Sequence, residues 1–418
     1  MRSRSSIKQY TPPSPIINQS RCKNGASFFQ IHRGTVPALK LELMFPAGRP
    51  YEAKKGLATA TLQLIKGGTT KKSATKVAEG FDHWGSSVNF DYYVDQCGIK
   101  VYVLEKYLAK VLPLLIEMLS EAVFPASELK LYKRQQKEKL RSDDLRGDVV
   151  AYRTFTEHLF GTKHPYGYNS TVESIEEINR EDLINHFQSH YCMDRCKIFL
   201  SGSFEESTAN LIQDTLGNLR LKNHRPPRRH LPHKFPPPGN FQILLQDSVQ
   251  TSIRLGRRLF NRQHPDYVSM YVFNTLLGGY YGSNLMQNLR EKNGLTYHIY
   301  SSLDTFMLDG YFLISTEVDK LRSPLAIREI YAEINRLKAK PVKASELQTV
   351  KNYLLGSFLQ YFENAFAESE LIRVLSLEGG KAAFVQLIEG IKNVTAEDIQ
   401  RIAKKYFQEK DLTLITVG

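Results

Sequence analysis

The fold is decided by a stretch that occurs twice, INREDLINHFQSHYCMDRCKIFLSG at residues 178–202 and VTAEDIQRIAKKYFQEKDLTLITVG at residues 394–418. The two copies align without a gap at an offset of 216 residues, which places Asp182 on Asp398 and Gly202 on Gly418. In each copy a residue able to cap a helix precedes a helical pattern. A short turn and an apolar run typical of a strand then follow.

A second pair of similar segments precedes these copies in the same order. LATATLQLIKGG ends at Gly68 and YVSMYVFNTLLGG ends at Gly279, an offset of 211 residues. Each predicts a helix closed by glycines, which tolerate the left-handed conformation at a helix C-terminus. Two matched features at nearly the same spacing indicate a tandem repeat of about 200 residues.

Strand and helix patterns are interspersed within the first repeat. Residues 38–48 alternate apolar and polar side chains as a strand does, residues 56–66 predict a helix, and residues 86–104 predict two strands joined by a turn. Helices are predicted over 107–124 and 128–140. We therefore expect the α+β class, with two homologous domains that are each an antiparallel-rich β-sheet backed by α-helices.

Proline marks the boundary between the repeats. Residues 224–240, HRPPRRHLPHKFPPPGN, contain six prolines. Proline fixes φ and lacks the N–H that a helix or a central strand needs, so this segment predicts an extended linker. The predicted organisation is an N-terminal tail over 1–19, a first domain over 20–222, a linker over 223–240 and a second domain over 241–418.

Composition narrows the classes of function. The chain has 418 residues, of which 42% are hydrophobic and 24% charged, as in ordinary globular proteins. Four cysteines are too few for a disulfide scaffold and favour a reducing compartment. Charged residues and a proline interrupt the most apolar stretch, 107–124, and the basic N-terminus lacks the apolar run of a secretory signal. We therefore expect a cytoplasmic protein with no membrane partner.

The formal net charge of +13 raises the question of a nucleic-acid partner. Part of this charge is local, because the segment 220–234 alone carries six lysines and arginines. No nucleic-acid-binding motif is recognisable in the sequence. We interpret the excess charge as a solvated surface with a basic linker and expect no nucleic-acid partner.

One cluster has the residue types of a zinc site. Two histidines four residues apart share a helix face and are followed by two cysteines: His186, His190, Cys192 and Cys196. In the repeat, however, His190 falls on Tyr406 and Cys196 on Leu412. Core packing is therefore the preferred interpretation, with a structural zinc as the alternative. His230 and His233 fall in the linker, where no preformed site is expected.

The run GSNLMQNLREKNGLTY, residues 282–297, resembles the second-domain signature GSRL-x3-LREK-x-GL-x-Y of the M16 metallopeptidases. Residues 47–69 and 84–93 resemble the family's zinc-motif segment and the strand after it, and 164–191 and 264–279 also resemble family segments. The resemblance implies two homologous domains per chain and pairs of chains that enclose a chamber for unfolded peptides. It also implies a zinc ion held by the two histidines of HxxEH and a distant glutamate, with the motif's own glutamate activating water.

The zinc motif is degenerate in this chain. In the family frame Thr59 and Gln63 stand where the histidines belong, and Leu62 stands where the base belongs. The third ligand position falls on Leu140 by strict counting and on Lys139 when the helix pattern is matched. Catalytic zinc needs three protein ligands and an open position. An ammonium about 4 Å from a dication costs on the order of 8 kcal/mol at an effective dielectric near 20. The resemblance therefore implies no cofactor bound by this chain and zinc in a partner.

Arg290 and Tyr297, by contrast, match the family signature at its spacing. In the family the tyrosine hydroxyl donates to the developing oxyanion, and the arginine holds carbonyl or carboxylate groups of the substrate. We therefore predict that both residues act in trans on the chemistry of a partner. Asn284 replaces the arginine that the family prefers, which puts part of the substrate contact in doubt.

Two functions follow from this pattern. The first is the non-catalytic subunit of a hetero-oligomeric zinc metallopeptidase, which supplies Arg290 and Tyr297 to an HxxEH-bearing M16 chain that cleaves peptides in a closed chamber. The alternative is a catalytically dead clamp that binds peptides or serves a structural role without a proteolytic partner. The expected partner is an M16 catalytic subunit or a second copy of the chain, and the sequence leaves open whether the chain belongs to an enzyme.

Overall fold

The computed structural model describes residues 10–221, 234–246 and 248–418. The first sheet contains β1 Asn18–Arg21, β2 Ser27–His32, β3 Ala38–Phe45, β4 Ser87–Tyr92, β5 Cys97–Leu104 and β6 Lys197–Gly202. The second sheet contains β7 Asn240–Ile243, β8 Gln250–Leu259, β9 Ile299–Thr305, β10 Gly310–Asp319 and β11 Thr413–Val417.

Fourteen α-helices accompany the two sheets in the described part of the chain. The helices of the first half are α1 Leu57–Leu64, α2 Ala74–Asp82, α3 Glu105–Ser120, α4 Ala126–Asp143, α5 Gly147–Phe160, α6 Val172–Glu176, α7 Arg180–His190 and α8 Glu206–Thr215. Those of the second half are α9 Tyr267–Gly278, α10 Ser323–Ala339, α11 Ala344–Ser357, α12 Ala365–Leu375, α13 Lys381–Asn393 and α14 Ala396–Tyr406. None of these helices is long and apolar enough to cross a membrane.

The two halves repeat one topology. The strand orders are β1-β2-β6-β3-β5-β4 and β7-β11-β8-β10-β9, which correspond strand by strand once β1 is set aside. Each sheet has a single parallel pair, β2 with β6 and β7 with β11, among antiparallel neighbours. Helices α7 and α14 lie at the same offset of 216 residues, and each begins with a capping box. The expected α+β class with two homologous, antiparallel-rich sheets is confirmed.

Parts of the predicted tail and linker fall on residues 1–9 and 222–233, which lie outside the described residues, as do His230 and His233. The predicted domain boundaries stay a prediction.

Strand β3 shows how one sheet is buried on both faces. Leu39, Leu41 and Leu43 point into the core of the first half, where they meet residues of α1 and α3. Their neighbours Lys40 and Glu42 are also buried, but they point to the opposite face and meet α12 of the second half. The strand therefore alternates apolar and polar side chains although neither face is exposed to water.

The two halves exchange helices across their interface. Helix α5 of the first half packs on β8 and β11 of the second sheet, and α12 of the second half packs on β2 and β6 of the first sheet. Phe155 of α5 lies in a core with Tyr311 and Ile415, and Ile372 of α12 lies in a core with Phe29, among others. In each sheet, a helix from the other half therefore covers one of the two buried faces.

Charged groups reinforce the contact between α12 and the first sheet. The Glu370 carboxylate accepts from Lys40 Nζ at 2.8 Å, Lys100 Nζ at 3.0 Å and Arg373 Nη2 at 2.8 Å. Burial alone would raise the pKa of Glu370, but the Lys40 ammonium and the Arg373 guanidinium lower it to about 2. The buried Glu42 faces the same cations, and its burial raises the pKa of its carboxyl group in spite of them.

We expect Glu370→Gln to lower the free energy of unfolding at pH 7 by about 2 kcal/mol, because it removes the carboxylate that accepts from Lys40, Lys100 and Arg373, and a hydrogen bond to a charged group contributes about 1.5–3 kcal/mol. The lowered pKa means that the unfolded chain takes up the proton first, so the Glu370 contribution is complete above pH 4.5 and is lost as the pH falls towards about 2. The stability difference between parent and variant should therefore narrow between pH 5 and pH 3.5. Urea unfolding at several pH values measures it.

Glu363→Gln is the matched control, because Glu363 is exposed and lies just before α12. This variant should keep the parent stability to within about 0.5 kcal/mol. A Glu370→Gln variant that is as stable as the parent at pH 7 would show that the charge cluster does not stabilise the contact between the halves.

Candidate functional site

Helix α1 carries three of the four degenerate zinc-site positions. The chain enters α1 at Gly56, whose φ of 86° is in the left-handed region that glycine tolerates. Leu62 is completely buried in the core of the first half, whereas Thr59 and Gln63 are half-buried. The Thr59 hydroxyl hydrogen-bonds with Tyr92 at the end of β4, so it is already engaged.

Helix α4 lies opposite α1 and carries the fourth position. Gln63 lines a cavity of about 640 Å³ together with Tyr132 and Gln135 of α4 and Phe90 of β4. Lys139 is exposed one turn further along α4 and is not part of the lining of this cavity. The structure thus brings Gln63 close to Gln135 rather than to the predicted third position.

These residues do not fit a catalytic zinc ion. Thr59 and Gln63 offer neutral oxygens, Leu62 offers no donor atom, and Lys139 offers a cation. In the described part of the chain, no group of three or more His, Cys, Asp or Glu side chains is placed to hold a metal. Thr59, Leu62, Gln63 and Lys139 therefore supply neither the ligand set of a catalytic zinc nor a carboxylate base.

The geometry at the second sequence candidate favours core packing over a structural zinc. His186 Nε2 lies 3.0 Å from the carbonyl oxygen of Ala47, and its ring centroid is 4.7 Å from that of His190. Burial raises the pKa of the Cys192 and Cys196 thiols, whereas zinc needs thiolates. Cys196 belongs to the apolar core of the first half.

A buried carboxylate next to α1 was not found by sequence reasoning. Glu52 accepts from the backbone N–H of Gly56 at 3.1 Å and of Ala58 at 2.7 Å, and from the Tyr168 hydroxyl. Burial raises the pKa of Glu52, although these hydrogen bonds favour the carboxylate. This acid therefore anchors the first turn of α1. Its partner Tyr168 is 116 residues away in sequence, so no local pattern signals the pair.

Arg290 lies on the π-helix Met286–Lys292. From the sequence, Leu285 and Leu289 with polar residues between them predict an ordinary amphipathic helix here. Met286 and Leu289 bury one face of this element, which agrees with the predicted pattern. The wider π turn is rare and is found frequently at functional sites. The Arg290 side chain is 38% exposed and reaches solvent beside Glu291.

Tyr297 lies on a short loop. Contacts with neighbouring residues hold this loop in place. The Leu295 side chain is buried and its N–H donates to the Leu289 carbonyl at 2.8 Å, while the Thr296 hydroxyl donates to the Glu317 carbonyl at 2.7 Å. Arg322 donates to the Gly294 carbonyl at 2.9 Å. Tyr297 itself is 91% exposed. Both residues of the predicted pair thus reach solvent from fixed supports.

The profile of the family described as "Peptidase M16 inactive domain" matches residues 177–354, a span that contains Arg290 and Tyr297. Over this span the chain is similar to the M16 peptidase family. This match covers the end of the first half and much of the second half, and does not include the degenerate motif on α1.

Proteins that are similar to this chain over most of its length carry contrasting names. A Bacillus subtilis protein named "Uncharacterized zinc protease YmxG" is 23% identical over 94% of this chain and 96% of its own length. A Helicobacter pylori protein named "Non-peptidase homolog YmxG" is 24% identical over 90% of this chain and 88% of its own length. A crystal structure titled as a peptidase M16 inactive domain from Pseudomonas fluorescens superposes with a TM-score of 0.87 at 22% identity, covering 96% of this chain and 98% of that one. The last comparison shows the shared fold.

We expect the purified chain to contain less than about 0.1 zinc per chain, because the ligand set is missing at the zinc-motif positions. Thr59→His with Leu62→Glu and Gln63→His should not create a site, because the third ligand is still absent. Leu62→Glu also buries a carboxylate in the core, so the triple variant should be less stable than the parent. Elemental analysis after dialysis against a weak chelator measures the metal content.

Thr59→His with Gln63→His, which leaves Leu62 in place, is the folded control for that experiment. Stoichiometric zinc retained by the parent chain would show that this prediction is wrong. Its loss in a His186→Ala variant would then assign the metal to the cluster on α7.

Proposed function

We propose that this chain is the non-catalytic subunit of a hetero-oligomeric M16 zinc peptidase. Its second half supplies Arg290 and Tyr297 to a partner chain that carries HxxEH, and the two chains enclose the peptide. The observation that supports this proposal best is the contrast between the two halves. Arg290 and Tyr297 reach solvent on fixed supports, whereas Thr59, Leu62, Gln63 and Lys139 fit no zinc ion.

The proposed division of labour follows from the chemistry of these side chains. The partner supplies the metal and the base, because Thr59, Leu62, Gln63 and Lys139 offer neither a zinc ligand set nor a carboxylate. The Tyr297 hydroxyl can donate one hydrogen bond to an oxygen that gains negative charge during peptide hydrolysis. The Arg290 guanidinium stays charged at every relevant pH and offers several donors to carbonyl or carboxylate oxygens.

The exposed sheet edges support a peptide as the ligand. Strand β4 is one of the two edge strands of the first sheet, and β9, which begins two residues after Tyr297, is one of the two edge strands of the second. An edge strand presents unpaired N–H and C=O groups to which an extended peptide can add. The cavity beside Phe90 of β4 is a suitable place for an apolar side chain of such a peptide.

The degenerate motif is equally compatible with the second candidate function. In that alternative the chain is a catalytically dead clamp that pairs with itself. The relative named a non-peptidase homolog favours this alternative. In either case we propose a cytoplasmic protein that binds no cofactor itself. In the described residues the four cysteines are buried and form no disulfide, which supports a reducing compartment.

Reconstitution tests the proposal. The chain and an HxxEH-bearing M16 chain from the same genome are purified separately, mixed, and assayed with fluorogenic peptides. We expect hydrolysis only from the mixture, together with a complex by size-exclusion chromatography. A partner that is fully active alone, or a chain that forms only self-dimers in the presence of that partner, would favour the clamp.

A further inference from the structure

We infer that Tyr281 and Glu291 are positioning residues that hold the Arg290 guanidinium in its working orientation. This inference rests on the proposed function and adds to it a requirement on residues outside the Arg/Tyr signature.

Three contacts join these side chains. The Tyr281 hydroxyl donates to Glu291 Oε1 at 2.9 Å, and Arg290 Nε lies 3.7 Å from the same oxygen. The Arg290 guanidinium carbon lies 5.3 Å from the centroid of the Tyr281 ring, within the range of a cation–π interaction. The carboxylate and the aromatic ring therefore contact the guanidinium together and restrict its rotation.

The loop before the π-helix fixes the place of Tyr281. Gly278 closes α9 against β9, and a Cβ at Gly278 would lie 2.6 Å from the N atom of Ser301. The Tyr280 ring packs on Tyr353 with centroids 4.8 Å apart, and the Tyr280 carbonyl accepts from the N–H of Ser283 at 3.1 Å. Tyr281 thus projects from an anchored turn, although its own side chain is 62% exposed.

The arrangement matters because Arg290 has a long side chain in contact with water. A free arginine would lose rotamer freedom each time it met a substrate, and a pre-oriented one loses less. Tyr281 and Glu291 would lower this cost before the peptide arrives. Their effect should therefore act through Arg290 and vanish when Arg290 is absent.

A double-mutant cycle in the reconstituted pair tests the inference. We expect Tyr281→Leu to lower kcat/KM about tenfold. Tyr281→Phe keeps the ring below the guanidinium and should recover most of that loss. In the Arg290→Ala background Tyr281→Leu should have no further effect. Tyr10→Leu, at a similarly exposed tyrosine on the N-terminal arm, should leave kcat/KM unchanged.

Two results would overturn the inference. Additive losses in the cycle would show that Tyr281 acts independently of Arg290, and an unchanged Tyr281→Leu variant would show that Arg290 needs no positioning. If Arg290→Ala itself has no effect on activity, the proposed function has failed instead.

Rotation of the Arg290 guanidinium about Nε–Cζ, measured by NMR on the isolated chain, gives a readout that needs no partner. We expect it to be slower in the parent than in Tyr281→Leu. Equal rates would overturn the inference whatever the activity assays show.

Discussion

Tyr297→Phe should lower kcat of the reconstituted pair by about 10²–10³, because loss of one oxyanion donor typically costs about 3–4 kcal/mol of transition-state stabilisation. The substitution removes a single hydroxyl from a side chain that is 91% exposed, so it should leave folding unchanged. Arg290→Ala should be at least as harmful, because it also removes charge-assisted contacts to the substrate. Peptide hydrolysis at saturating substrate measures kcat, and its dependence on peptide concentration gives KM.

Size-exclusion chromatography and circular dichroism are the controls, since both variants should assemble and fold like the parent. Tyr10→Phe removes a hydroxyl from another exposed tyrosine and should leave kcat unchanged. If the pair cleaves peptides equally well with Tyr297→Phe and Arg290→Ala, completion of the active site in trans is wrong and the clamp becomes the better explanation.

Local sequence patterns were sufficient for the repeat and the fold class. The segments 178–202 and 394–418 form the same helix, turn and strand in both halves, with capping boxes at Asn179 and Thr395. Each of these signals lies within about twenty residues and depends on capping and periodicity, which short segments encode. The strand at 38–48 and the two strands at 86–104 were predicted for the same reason.

Features set by distant contacts could not be predicted in this way. Lys40 and Glu42 occupy the polar positions of an alternating strand, a pattern typical of a strand with one face in water. In the structure α12 from the other half covers that face. Nothing in residues 38–45 encodes that helix, since Glu370 is 330 residues away from Lys40. The π-helix could not be predicted either, because its side-chain pattern is that of an ordinary amphipathic helix and does not distinguish the wider turn.

The candidate site, too, could be predicted from the sequence only in part. The sequence identifies which residues match or depart from the family signature, and those identities decide that a zinc ion does not fit. It does not show that Glu52 anchors α1 through Tyr168, or that Tyr281 lies beside Arg290. The roles of Arg290 and Tyr297 stay predictions that rest on the resemblance and on their exposure.

Phe155→Ala should lower the free energy of unfolding by about 3–5 kcal/mol, the usual cost of removing a buried phenylalanine. Phe155 belongs to the first half in sequence, but its ring is fully buried on the second sheet, with its centroid 5.9 Å from that of Tyr311. Helix α5 covers the second sheet and α12 covers the first, so each sheet loses the cover of one face when the other half unfolds.

We therefore expect one cooperative transition for the whole chain. Trp84, the single tryptophan, reports on the first half by fluorescence, and circular dichroism reports on both halves.

Fluorescence and circular dichroism together test whether the two halves unfold in one transition. In urea, the fluorescence and circular dichroism midpoints should coincide in the parent and shift together in Phe155→Ala. A substitution deep in the second half, Phe273→Ala, should also shift the Trp84 transition, although Phe273 belongs to the other core. Leu145→Ala is the control, since Leu145 lies just before α5 with 77% of its surface exposed and should change stability by less than about 0.5 kcal/mol. If Phe273→Ala shifts the dichroism transition and leaves the Trp84 midpoint where it was, the halves unfold independently. The exchanged helices would then be a packing contact without a role in cooperativity.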